Sequence, residues 1–415
     1  MQAWRAGGVP SWLLHLPLGL LYFNLLPLYT IYTGICALLP AWIEVNKYMK
    51  LATHTTQPEQ ARGKERRHSL SPAPVILSLC GLLPLVMLLA VSFGSTAIPI
   101  ATITRILLNG SGIFHFARQW DAASEVIIWQ VRLPIVVGAA LVGAALAVAG
   151  ALFQGMLRNP LADPFLIGTS SGAALGATIA FVLPFDTLYG TFFPLTPVFA
   201  FIGAILTVLL VYAIARSGGH TPVVTLLLAG VVINAVLVAL QTLILTLRPA
   251  GAFNAVQGLF NWLSGGVTVT SWPPLLVVAA LVLTGIALSL GFSGVLDVFA
   301  LGEEGAAHLG LHVERYKFAL VVIASLLTAA AVSISGLIGF VGLVIPHLVR
   351  LLLGPRHRFL LPASALGGAI FLTLADLLAR VVIAPEVLPV GVVTALVGAP
   401  FFLFLLSHSK REYRW

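Results

Sequence analysis

The chain has 415 residues, 59% of them hydrophobic and 9% charged, and its mean hydropathy is +1.03. Soluble domains carry about 25% charged residues, so a soluble fold is excluded, and the long unbroken apolar runs exclude a β-barrel, whose strands are short and alternating. The net charge of +8 is scattered over short loops between apolar runs, which argues against nucleic acid and reads as a topology signal.

Residues 1–71 form an N-terminal extension. Its apolar stretch, 11–43, contains three prolines and is compatible with an extra span, an interfacial segment, or sequence upstream of a working start at Met49. No cleavable signal pattern is present. The basic linker that follows holds Lys47, Lys50, Arg62, Lys64, Arg66 and Arg67.

From 72 to 415 the chain reads as one permease-like domain. Apolar spans fall near 72–94, 134–156, 165–184, 193–215, 222–246, 273–291, 317–334, 337–353, 360–382 and 388–407. The expected fold is therefore an all-α, polytopic membrane bundle of ten core helices. With the linker in the cytoplasm, Arg158, Arg216, Arg315, Lys317, Arg350, Arg356, Arg358, Lys410, Arg411 and Arg414 fall on the same side. Only Arg105, Arg118, Arg132, Arg248 and Arg380 fall opposite, as the positive-inside rule requires.

Within the second span, Gly138, Gly143, Ala147, Gly150, Ala151 and Gly155 give a bare helix face. Lipid supplies no apolar drive between helices, so close backbone approach must do the packing. Asp376 and Arg380 stand four residues apart, acid first, the spacing of a helical ion pair. Asn234 and Gln241, seven apart, share a face of the fifth span, and Gln257 follows in a short segment. Polar side chains at membrane depth face protein or a cavity. His347 stands without a second ligand, and Cys36 and Cys80 read as small apolar residues in apolar runs with no metal spacing. No G-x-x-x-x-G-K-[ST] sequence is present, so any ATP chemistry belongs to a partner.

Four ordered motifs carry a family likeness: RLPIVVGAALVGAALAVAGALFQGMLRNPLADPFLIGTSSGAALGA from Arg132, LLLAGVVINA at 226–235, LGEEGAAHLGL at 301–311, and GLIGFVGLVIPHLVRLLLGPRHRFLLPASALGGAIFLTLADLLARVV at 336–382 followed by LPVGVVTALVGAPFFLFLL. Over about 75–410 the chain resembles the FecCD permeases, membrane subunits of type II ABC importers for iron-siderophore complexes, haem and cobalamin.

The resemblance implies a non-enzymatic subunit of the bacterial inner membrane, working as a homodimer. Its partners would be two ATPase subunits, which hold the ATP and Mg, and a periplasmic substrate-binding protein. This chain would bind no cofactor and no metal. The resemblance assigns ATPase coupling to Gly302, Glu303, Glu304, Ala307, His308, Leu309 and Gly310, with Gly310 as the helix stop. It assigns binding-protein docking to Arg132 and Arg380, where exposed charge steers encounter. Family members often read R-L-P-R, but Ile135 stands here at the second arginine, which turns attention to Arg118 or Arg105. Asn234, Gln241 and Gln257 would line the translocation path, Gln257 standing where a dianionic haem would favour an arginine. Thr221 and Thr225 would form the cytoplasmic gate. The rival reading is an autonomous secondary transporter or channel, which would need a coupling-ion site that the spans do not display.

Overall fold

A computed structural model describes residues 70–94, 98–110, 116–182, 195–247, 253–269, 271–383 and 386–409, without side chains at 253–255 and 404–409. The N-terminal extension lies outside the described residues except for Leu70 and Ser71.

The described chain is helical from end to end. The first helices are α1 (Pro72–Ser92), α2 (Ile100–Gly110) and α3 (Ala122–Met156). Next come α4 (Thr169–Val182), α5 (Leu195–Ala215), α6 (Val223–Thr246), α7 (Phe253–Leu263) and α8 (Trp272–Gly291). The short α9 (Ser293–Phe299) and α10 (Glu303–His308) lead into α11 (Val313–Ser335), α12 (Val341–Leu353), α13 (His357–Val381) and α14 (Val390–Ser409). Seven of these (α1, α3, α5, α6, α8, α11 and α13) are long and apolar enough to cross a membrane, while α4, α12 and the start of α14 are shorter apolar helices. Each of the ten apolar stretches expected between 72 and 407 falls on one of these ten.

The centre of the bundle is α3. It buries 83% of its most apolar window and packs against α13, α11, α12 and α8. The reason is its small-residue face. A Cβ on Gly143 would run into the carbonyl of Gly368 on α13, and one on Gly150 into the carbonyl of Gly342 on α12. Backbones so close gain dispersion contacts that no bulkier pair would allow. Around this axis Ala173, Ala177, Ala200, Ala204 and Ala329 close α4, α5 and α11 over Leu259 and Trp262 of α7. Cys80, read from the sequence as a small apolar residue, faces outward from α1.

At the other extreme, α6 buries only 11% of its apolar window. A helix this apolar and this uncovered has a partner surface, lipid or protein, beyond the protomer.

Gly143→Ala should destabilise the protein by about 1–3 kcal/mol through overpacking against Gly368. Gly81→Ala on α1, where a Cβ meets nothing within 4 Å, should be neutral or slightly stabilising. Thermal unfolding of the two variants in detergent checks the contrast.

Candidate functional site

The LGEEGAAHLGL motif folds as the expected short helix. Gly302 takes φ 98° before it, and Gly310, at φ 83°, ends it by donating its N–H to the Ala307 carbonyl. Ala306 is buried, while Glu304, Ala307, His308 and Leu309 are exposed on the opposite face. The helix thus presents a small, partly acidic ridge outward. The Arg158 guanidinium lies behind it, 3.2 Å from where a Cβ on Gly302 would stand.

Glu303 turns inward. Its carboxylate meets the Lys317 ammonium at 2.9 Å. Lys317 is only 1% exposed, and its three donors reach three places. Beyond Glu303 they engage Glu314 at 3.3 Å and the Thr221 carbonyl at 2.8 Å. A buried ammonium is tolerable only when its donors are all met. Lys317 therefore fastens the foot of α6, where Thr221 sits, to the short helix α10. The sequence suggested only a topology charge here. The available signal was a lysine one turn inside an apolar helix, three residues after Glu314.

The turn before α6 is hydrogen-bonded across its ends. Ser217 and His220 exchange both backbone hydrogen bonds, at 2.9 and 3.0 Å, across Gly218 and Gly219. Both glycines have positive φ, 58° and 86°, the requirement of a type I′ turn. Thr221 follows fully buried, whereas Thr225, one turn up α6, is exposed. A groove of about 560 Å³ runs between this turn and α10, lined by Arg216, His220, Glu304 and His312 among others.

Further along α6, Asn234 opens onto a cavity of about 370 Å³ together with Asp163, Ser170, Gly230 and Phe340. Gln241 stands half-buried two turns beyond. Gln257 lies exposed on α7, its amide 3.4 Å from Asn261, apart from the Asn234 cavity.

Asp163 shapes the wall of that cavity. Its carboxylate caps the 3₁₀ turn Pro164–Ile167 by accepting the Phe165 N–H at 2.8 Å. Burial pushes its pKa up to about 6, against the lowering effect of that N–H. Nearby, a second buried node joins α3 to α12. The Gln154 amide donates to the carbonyls of Gly342 and Leu343, and its oxygen accepts from Arg350 at 3.0 Å.

At the opposite end the two arginines expected to dock a binding protein pack against the end of α1. Arg132 is 4% exposed. A six-residue π-helical segment, Ile127–Arg132, delivers it to the carbonyls of Val91 and Ser92 at the end of α1. π-turns free carbonyls from the helix ladder, and that of Trp129 is met by the Trp272 indole at 2.9 Å. Arg380 pairs with Asp376 at 2.7 Å, as its spacing suggests, and also reaches the carbonyls of Ala90 and Phe93. Together the two arginines cap α1 where its last carbonyls lack partners and its dipole is negative. Arg132 is thus a buried cap of α1 within the protomer. Among the described residues the exposed cations of this end are Arg118, paired with Glu125 at 2.9 Å, and Arg105, bonded to Gln119.

Residues 82–408 match the model of the FecCD transport family. The chain belongs to the FecCD transport family. Among its FecCD relatives is the cobalamin import system permease BtuC of Halobacterium salinarum, 44% identical over 70% of this chain and 75% of that protein. The hemin transport system permease HmuU of Yersinia pestis is 38% identical over 73% of this chain and 91% of its own length. A solved metal-chelate-type ABC transporter in an inward-facing conformation superposes with a TM-score of 0.69 at 29% identity, covering 81% of this chain and 99% of that one.

The chain is thus a multi-pass membrane permease in which the short helix α10 is fastened to the foot of α6. Lys317→Ala, which strands Glu303 and Glu314, should cost about 3 kcal/mol in thermal stability. Glu303→Gln, at a half-exposed site, should cost less than about 1 kcal/mol. Asp163 should show a pH signature. Its folded pKa lies above the ordinary value of 3.8, so its contribution is fully present below about pH 4 and lost as pH rises through about 6. Asp163→Asn keeps an acceptor for Phe165 and removes the charge, so stability measured from pH 4 to 7 should fall less steeply in the variant.

Proposed function

We propose that this chain is the permease subunit of an ATP-driven importer that carries an iron-siderophore, haem or cobalamin-type chelate across a bacterial inner membrane. Two copies would face each other across α6, the apolar helix that the protomer leaves most bare. Reading α4, α12 and α14 as crossings brings the spans to ten and puts the basic linker and α10 on one side. Two ATPase subunits, holding ATP and Mg, would seat against α10. A substrate-binding protein would load the opposite face through Arg105 and Arg118, the exposed cations there among the described residues.

The observation that carries this reading is the Lys317 contact set. One buried ammonium holds Glu303 of α10 and the Thr221 carbonyl at the foot of α6. A displacement of α10 by the ATPase therefore moves the base of the helix that bears Asn234. A conformational change needs differential contact with the two nucleotide states. Glu304, Ala307, His308 and Leu309 offer the surface for it, and Lys317 carries the displacement inward. The chain performs no covalent step. It supplies a path, and its relatives' cargoes, cobalamin in one and hemin in another, are bulky chelates.

The test is reconstitution with the ATPase and binding protein in proteoliposomes. Uptake of ferric siderophore, haem and cobalamin should require ATP, and one of the three should dominate. Lys317→Met should leave ATPase association intact while lowering uptake per ATP hydrolysed at least tenfold, within the usual range of coupling free energies. Uptake that persists without the ATPase would instead establish a secondary transporter.

A further inference from the structure

The ends of α5 and α11 that carry the basic residues form a groove of about 490 Å³ to which nothing in the transport cycle assigns a role. Its floor is apolar and aromatic: Leu209, Tyr212, Ala213 and Phe318, with the Tyr212 and Phe318 rings 5.0 Å apart. Its mouth holds Arg216 and Arg315.

Two stripes converge there. On α5, Ile202, Leu206, Leu209 and Ala213 are exposed at spacings of four, three and four, and the stripe ends at exposed Arg216. On α11, Val322 and Phe318 are exposed at a spacing of four, and that stripe ends at exposed Arg315. Both helices therefore pass from an uncovered apolar surface to a guanidinium at the same end. The one acid at the mouth, Glu314, is turned to the Lys317 ammonium. Among the described residues neither Arg216 nor Arg315 has an ion pair or a side-chain hydrogen bond.

We infer that this groove binds an anionic phospholipid of the basic-side leaflet, its phosphate held by Arg216 and Arg315 and one acyl chain lying over Leu209 and Phe318. The match is chemical at both ends. Guanidinium groups bind phosphate in a fork, and basic pockets between spanning helices suit anionic headgroups. A soluble anion would leave the apolar floor uncovered. An acidic protein surface would leave it equally so. The lipid covers floor and mouth together. Because Arg216 and Glu314 also border the groove beside α10, the bound lipid would brace the joint at which Lys317 holds α6.

The experiment uses the assembled permease–ATPase complex in detergent, with native mass spectrometry and thermal shift as readouts. Phosphatidylglycerol should be retained and should raise the unfolding temperature; phosphatidylcholine and inorganic phosphate should do neither. The double variant R216Q/R315Q, changed only at exposed positions, should lose affinity for phosphatidylglycerol about thirtyfold, the worth of two interfacial arginines. Ala213→Trp, which fills the groove and keeps both charges, should lose it as well. Four results would overturn the proposal. These are equal retention of phosphatidylcholine, saturation by inorganic phosphate, unchanged binding in either variant, or dissociation of the ATPase or of the permease pair in R216Q/R315Q with lipid binding intact. The last would assign the arginines to a protein partner.

Discussion

Close backbone contact along α3 is the constraint from which the other features follow. In lipid, apolar side chains gain nothing by leaving the solvent, so helices associate through close backbone packing and interhelical hydrogen bonds. Gly143 against Gly368 and Gly150 against Gly342 provide that approach at two levels of one helix. A helix so held can present polar groups at fixed positions along its length. Gln154 reaches Arg350 on α12 at one end, and the π-helical segment aims Arg132 at α1 at the other. Each polar group finds its partner because the glycines set the spacing.

The same rigidity explains the division of labour across the molecule. At one end, Arg132 and Arg380 close α1, and among the described residues Arg105 and Arg118 are the exposed cations. At the other, the type I′ turn and Lys317 make the foot of α6 and the short helix α10 a single unit. The rest of α6 stays bare. Asn234 lies along this uncovered helix. The uncovered groove at the arginine-bearing ends of α5 and α11 borders this same joint.

What could be read from the residues alone was considerable. Composition excluded every soluble class, and the apolar runs located the helices because a bilayer imposes length and continuity on each span. Four ordered motifs gave the family. Local rules gave local structure: Gly310 stopped α10, and Asp376 met Arg380 one turn on. Each of these is decided within one or two helical turns, where sequence spacing and spatial distance are the same thing.

Tertiary structure decided what depends on distant partners. Arg132 became a buried cap because its acceptors lie 40 and 41 residues away on α1, and no local pattern pairs them. Lys317 became the link between α10 and the foot of α6 because it meets Thr221 across 96 residues, and Gln154 meets Arg350 across 196. A charge beside a span looks the same in sequence whether it faces headgroups or closes a buried network. Only the packing of α3, α6 and α11 in space distinguishes the two, since burial and partner carbonyls are properties of the assembled bundle and not of any one helix.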